Sequence, residues 1–115
     1  MNTGHRDETT SPSLTREQIR AVLPTLIGLT RRAAATVAVR LERLTRRESI
    51  EELAAIDRRV QQWFEDVRGL GGEPRGLWLV EFRGRAGWFG WNEGDDDVTL
   101  YRPHGAPPEE RARLH

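Results

Sequence analysis

Gly76-Leu77-Trp78-Leu79-Val80-Glu81-Phe82-Arg83, then Gly84-Arg85-Ala86-Gly87, then Trp88-Phe89-Gly90-Trp91: this stretch decides the fold. Two apolar runs flank a glycine-bearing turn, the pattern of a β-hairpin. If Arg83 opposes Trp88 across the turn, Phe82 faces Phe89 and Val80 faces Trp91. Side chains alternate along a strand, so one sheet face collects Trp78, Val80, Phe82, Phe89 and Trp91. The other collects Leu77, Leu79, Glu81, Arg83, Trp88 and Gly90. The first face is apolar enough to pack on helices. The second is mixed and leaves Trp88 with less cover. A second turn over residues 92–97 and a strand over 98–102 extend the hairpin into a three-stranded antiparallel meander, entered from a loop at 71–76.

Upstream of the hairpin the periodicity is helical. Thr15-Arg16-Glu17-Gln18 fits a capping box, with Leu14 and Ile19 placed for a hydrophobic staple. Apolar residues then recur at Ile19, Val22, Leu23, Leu26, Ala33, Val37, Leu41 and Leu44, in steps of three, four and seven. Pro24 lies inside this pattern and is expected to bend the helix near Arg20. A helix reaching Leu44 would be roughly 45 Å long. Two overlapping start signals follow, Thr45…Glu48 and Ser49…Glu52, so a joint falls between residues 45 and 49. The second helix carries Ile50, Leu53, Ile56, Val60, Trp63, Phe64 and Val67 on one face. Gly69 is expected at its left-handed C-terminal position. A short joint makes the two helices antiparallel neighbours. The expected architecture is α+β: an antiparallel helical hairpin packed on a three-stranded antiparallel β-meander. Residues 14–105 form the single domain, with tails at 1–13 and 106–115.

Composition removes several classes of function. With no cysteine there is no disulfide, no thiolate nucleophile and no Cys-ligated zinc. All 18 basic residues are arginine, which rules out Schiff-base lysine chemistry. The charged share is 31 %, and no run of about 18 apolar residues interrupts it. Residues 1–13 lack the apolar core of a secretory signal, so a cytoplasmic setting and no membrane partner are expected. The net charge is zero but unevenly spread. Residues 16–47 hold eight arginines against two glutamates, and residues 48–66 hold six acids against two arginines. The expected antiparallel packing sets the basic helix beside the acidic one.

The ordered set of motifs resembles an uncharacterised bacterial family, domain of unknown function 2203 (DUF2203). Leu23-Pro24 stands in the first helix and Leu79-Val80-Glu81-Phe82 in the strand where the family has Leu-Val-Asp-Phe. Gly84-Arg85 precedes the aromatic strand Trp88-Phe89-Gly90-Trp91, and Gly94-Asp95 follows. The resemblance implies the fold and no activity. The chain departs from the family pattern at Gly90, where relatives often carry cysteine. It departs again at Tyr101-Arg102, where they tend to carry Trp-His.

Candidate sites follow from residue type and placement. Trp88, flanked by Arg83 and Arg85 with Glu81 as counter-charge and Trp91 in the same strand, is the expected binding surface. Trp and Arg are typical interface anchors, and a second copy burying an open sheet face would suit so small a core. The plain alternative is that the C-terminal tail shields Trp88. The favoured function is therefore a non-enzymatic binding or assembly domain, homodimeric or bound to a protein partner, with no cofactor. The alternative from another class is a metal-dependent or small-molecule-processing enzyme. Glu81, Asp95, Arg102 and His104 would then line a pocket at the sheet's end, with Glu81, Asp95 and His104 as ligands if a metal binds. Glu93, Asp95, Asp96 and Asp97 read more simply as a solvated turn, because consecutive aspartates point apart. A nucleic-acid accessory role is disfavoured by the zero net charge.

Overall fold

The structure, a computed structural model, describes residues 13–114. The tail expected at 1–13 lies almost wholly outside them. Helix α1 spans Arg16–Arg46. Its start is the capping box read from the sequence: the Gln18 amide donates to the Thr15 hydroxyl at 3.1 Å, and the Thr15 amide donates to the Gln18 side chain at 2.9 Å. The helix runs unbroken through Pro24, which is exposed. The helix ends with a bend at Arg47, and α2 spans Ile50–Gly69. Of the two overlapping start signals the second is used, with the Ser49 hydroxyl accepting from the Glu52 amide at 3.3 Å. The Thr45 hydroxyl instead donates back to the Glu42 carbonyl at 2.7 Å. At the far end, Gly69 is still helical, and the left-handed residue is Gly71, with φ +92°. The turn out of α2 thus comes two residues later than expected.

The two helices are antiparallel. Trp63 touches Thr30 and Glu52 touches Arg40, so sequence numbers fall on one helix as they rise on the other. The buried stripe of α1 is Ile19, Leu23, Leu26, Thr30, Ala33 and Val37. Thr30 is the polar member. It is fully buried, and its hydroxyl accepts the Trp63 indole N–H at 2.9 Å. Two groups that would each be costly to bury alone satisfy one another and tie the helices together. By length and composition α1 is long and apolar enough to cross a bilayer, its best window having a mean hydropathy of 1.3. Its apolar stripe, however, packs on α2 and the sheet, with Arg31 and Arg32 exposed midway.

The sheet has five antiparallel strands in sequential order rather than three. They are β1 (Gly72–Gly76), β2 (Leu79–Arg83), β3 (Gly87–Asn92), β4 (Leu100–Pro103) and β5 (Ala112–Arg113). The β2–β3 register is the expected one: Arg83 opposes Trp88, Phe82 opposes Phe89 and Val80 opposes Trp91. Both extra strands lie where the sequence offered no strand pattern. The segment expected as a loop, 71–76, supplies β1, and Pro74 is tolerated there because β1 is an edge strand. The segment expected as a tail, 106–115, supplies a short 3-10 turn at Pro108–Glu110 and then β5, which returns to pair with β4.

One sheet face packs on the helices. Val80, Phe82 and Trp91 join Ile19, Leu23, Leu26, Ala33, Trp63, Val67 and Val98 in a single buried cluster. Trp78 meets Trp63 edge-on at 4.9 Å. Two arginines from the first turns of α1 reach Asp97 in the β3–β4 loop, Arg16 at 3.8 Å and Arg20 at 3.2 Å. Burial raises the Asp97 carboxyl, but the Val98 amide and those two arginines outweigh it and hold it below its ordinary value.

A glutamate and three arginines on the outer sheet face

Strand alternation sends Val80 and Phe82 into the core and therefore turns Glu81 to the opposite face, away from the helices. That face would ordinarily be wet. Glu81 is nonetheless inaccessible to solvent. A carboxylate taken out of water costs several kcal/mol unless partners replace its hydration. Three guanidinium groups from three separate segments do so. Arg102 on β4 is bidentate, with Nε at 3.1 Å from Oε2 and Nη2 at 2.6 Å from Oε1. Arg75 on β1 brings Nε to 2.9 Å from Oε1, and Arg111, just before β5, brings Nε to 2.8 Å from Oε2. The remaining Arg102 nitrogen donates to the Ala106 carbonyl at 2.6 Å. Glu81 is opposed on β3 by Gly90, whose outer side is covered by Leu100 of β4, so the arginines reach the carboxylate from β1, from β4 and from the segment before β5.

Burial alone would raise the Glu81 carboxyl. The hydrogen bonds from Arg102, Arg111 and Arg75, with the charge of Arg111, prevail and lower it to about 2. Arg102 moves the other way, raised chiefly by its hydrogen bond to Glu81. At neutral pH Glu81 is therefore an acceptor with no proton to give and little basicity, the wrong tuning for a general acid or base.

Trp88 lies next to this cluster. The Arg75 guanidinium sits 4.8 Å from its ring centroid, and those of Arg83 and Arg102 sit 5.7 Å away. His104 approaches edge-on at 5.8 Å and donates from Nε2 to the Gly84 carbonyl at 2.8 Å. Trp88 is half-buried under these groups. Of the residues expected to form the binding surface, Glu81, Arg83 and Trp88 are brought together. Arg85 is exposed on the β2–β3 turn, and Trp91 points into the core, its indole N–H donating to the Asp95 carbonyl at 2.8 Å. Counter-charge to Glu81 comes from Arg75, Arg102 and Arg111 rather than from Arg83 or Arg85.

Glu81, Asp95 and His104, the set considered for a metal, do not converge. The Asp95 carboxylate accepts from the Thr99 hydroxyl at 2.8 Å and the Asn92 amide at 3.3 Å, which builds the β3–β4 turn. Among the described residues no three acidic or histidine side chains gather as a metal-binding group. Nothing in the sequence brings Arg75 and Arg111 to this site, because their segments show no strand pattern. The one signal in the sequence is Glu81 itself, an acid between the apolar residues Val80 and Phe82 of a strand.

Fold and site together define an α+β domain with a helical hairpin on one side of an antiparallel meander and a buried carboxylate–arginine cluster on the other. A family model described as "Uncharacterized conserved protein (DUF2203)" matches residues 13–114, and the chain belongs to that family. No curated protein and no solved structure matches it. Positions 81, 90 and 102 lie side by side on the outer face: Glu81 opposes Gly90 and bonds Arg102.

Proposed function

We propose that this chain is a non-enzymatic assembly domain that pairs with a second copy through the distal half of its helical hairpin. One observation carries this reading: the apolar stripe of the hairpin outruns the sheet. Ala33 is fully buried and Val37 nearly so. One and two turns further along the same stripe, Leu41 is 46 % exposed and Leu44 half-buried. On α2 the stripe begins equally uncovered, with Ile50 83 % and Leu53 54 % exposed. Clustered exposed apolar residues mark an interaction surface. The occupant follows from charge. Of the ion pairs among the described residues, only Arg40–Glu52, at 3.1 Å, joins the two helices. Arg43 and Arg47 on the basic side and Glu48 and Glu51 on the acidic side make no ion pair there. A two-fold pairing of hairpins sets the basic helix of each copy against the acidic helix of the other and closes a four-helix bundle over the stripe. The zero net charge disfavours nucleic acid, and the cysteine-free composition is compatible with a cytoplasmic setting. Trp88 is less suited to the contact, because guanidinium groups and His104 already cover it.

The test is Leu53→Glu, followed by size-exclusion chromatography with light scattering. A monomer with unchanged helical circular dichroism supports the hairpin interface. A variant that stays dimeric moves the interface elsewhere.

A further inference from the structure

Glu81 leaves positive charge over. By strand register and alternation, the outer sheet face carries Arg75, Arg83, Arg102, Arg111 and Arg113 against only Glu73 and Glu81. Three of these arginines crowd one buried carboxylate, and they do not spend their donors equally. Arg102 commits all three nitrogens, two kinds to Glu81 and one to Ala106, and is a fixed strut. Arg75 and Arg111 commit only Nε. Their terminal nitrogens make no hydrogen bond among the described residues; Arg75 is exposed and Arg111 half-buried. The Arg83 guanidinium makes no hydrogen bond among the described residues and, like that of Arg75, lies against the Trp88 ring. Glu81 therefore works as an organiser. By taking Nε of one guanidinium group on each of its two oxygens, it fixes both groups beside one carboxylate and leaves their terminal nitrogens over.

We propose that these guanidinium groups bind the terminal phosphate of a small phosphomonoester, held by the terminal nitrogens of Arg75 and Arg111 with Arg83 alongside on the Trp88 ring. The chemistry selects the ligand. Guanidinium forks match tetrahedral oxyanions with paired, directed hydrogen bonds. A phosphomonoester carries close to two negative charges at neutral pH, which answers the excess on this face, whereas a carboxylate supplies only one. The partly desolvated setting strengthens the attraction over what exposed arginines offer. This site is on the opposite side of the sheet from the helices and does not depend on the hairpin pairing.

Isothermal titration of the full chain with inorganic phosphate and with phenyl phosphate, at constant ionic strength, tests it. Acetate serves as the monoanionic control. The expected result is a dissociation constant of about 1 mM or tighter, with acetate at least about tenfold weaker. Arg111→Gln and Arg75→Gln should each weaken phosphate about tenfold or more. Both variants also remove a hydrogen bond from Glu81, so Arg83→Gln, which removes none, is the second probe and should weaken phosphate severalfold with an unchanged melting temperature. Arg85→Gln, outside the cluster, should bind as the parent does. No binding at millimolar phosphate, equal binding of acetate, or equal loss in Arg85→Gln would overturn the proposal. So would a single-stranded oligonucleotide lacking terminal phosphate that binds more tightly than phenyl phosphate.

Discussion

Replacing Glu81 with Gln tests the outer-face cluster with the least steric change, because the side chain keeps its size and one carbonyl oxygen but loses its charge. The wild-type carboxyl falls from an ordinary 4.5 to about 2 on folding. At about 1.4 kcal/mol per pKa unit, that shift stabilises the ionised folded state by about 3 kcal/mol. Removing one member of a buried ion pair costs about 3–5 kcal/mol by a separate route, since the partner charges stay behind. A chain of this length has on the order of 6–17 kcal/mol to lose, so the variant should fold but with a visible deficit. In urea, at a slope near 1.5 kcal/mol per molar, the midpoint should drop by about 2 M. Tryptophan fluorescence reads it, at one protein concentration for both proteins, because self-association would add its own stabilisation. The sign in pH gives a second check. A depressed carboxylate contributes fully above its unfolded value and loses that contribution as pH falls toward its folded value. The gap between wild type and Glu81→Gln should therefore stay wide down to about pH 5 and close as pH approaches 2. A gap under about 1 kcal/mol at pH 7, or one that does not narrow in acid, would refute the buried network.

Two further substitutions probe the scaffold. Thr30→Val keeps the shape but leaves the buried Trp63 indole N–H without an acceptor, so it should cost about 1–3 kcal/mol in thermal or urea unfolding. Gly87→Ala should be at least as damaging, since a Cβ at that position would run into the Arg102 carbonyl and come within 2.6 Å of the Tyr101 ring. A melting temperature unchanged by Gly87→Ala would contradict the β3–β4 pairing.

Legibility in the sequence followed side-chain periodicity. The β2–β3 register could be read because a four-residue turn and alternating bulky residues leave one pairing that puts Val80, Phe82 and Trp91 on one face. The helix starts at Thr15 and Ser49 could be read because each cap is a local side-chain hydrogen bond, reciprocal at Thr15 and one-way at Ser49, where the Glu52 side chain turns to Arg40 instead. β1 could not, because Gly72-Glu73-Pro74-Arg75-Gly76 has no alternation. Its place in the sheet is set by its partner and by the tight fit of Gly72 against Val80, Phe82 and Val67. β5 is two residues long and exists only where β4 offers an edge. The site divides the same way. Glu81, Arg83, Trp88 and Arg102 sit on recognisable strands and were found, while Arg75 and Arg111 arrive from segments whose structure depends on tertiary pairing. Thr30 escaped notice because a threonine on an apolar helical stripe looks like an interruption until Trp63 supplies its partner.

The central claim, that two copies close over the hairpin stripe of Leu41, Ile50 and Leu53, is tested most directly by sedimentation equilibrium of the wild-type chain. The run should span about 1–100 μM, the range of a modest protein interface. The account predicts a mass that rises with concentration to twice that of the chain and falls when salt screens the facing charges. A single-chain mass across the whole range would contradict it.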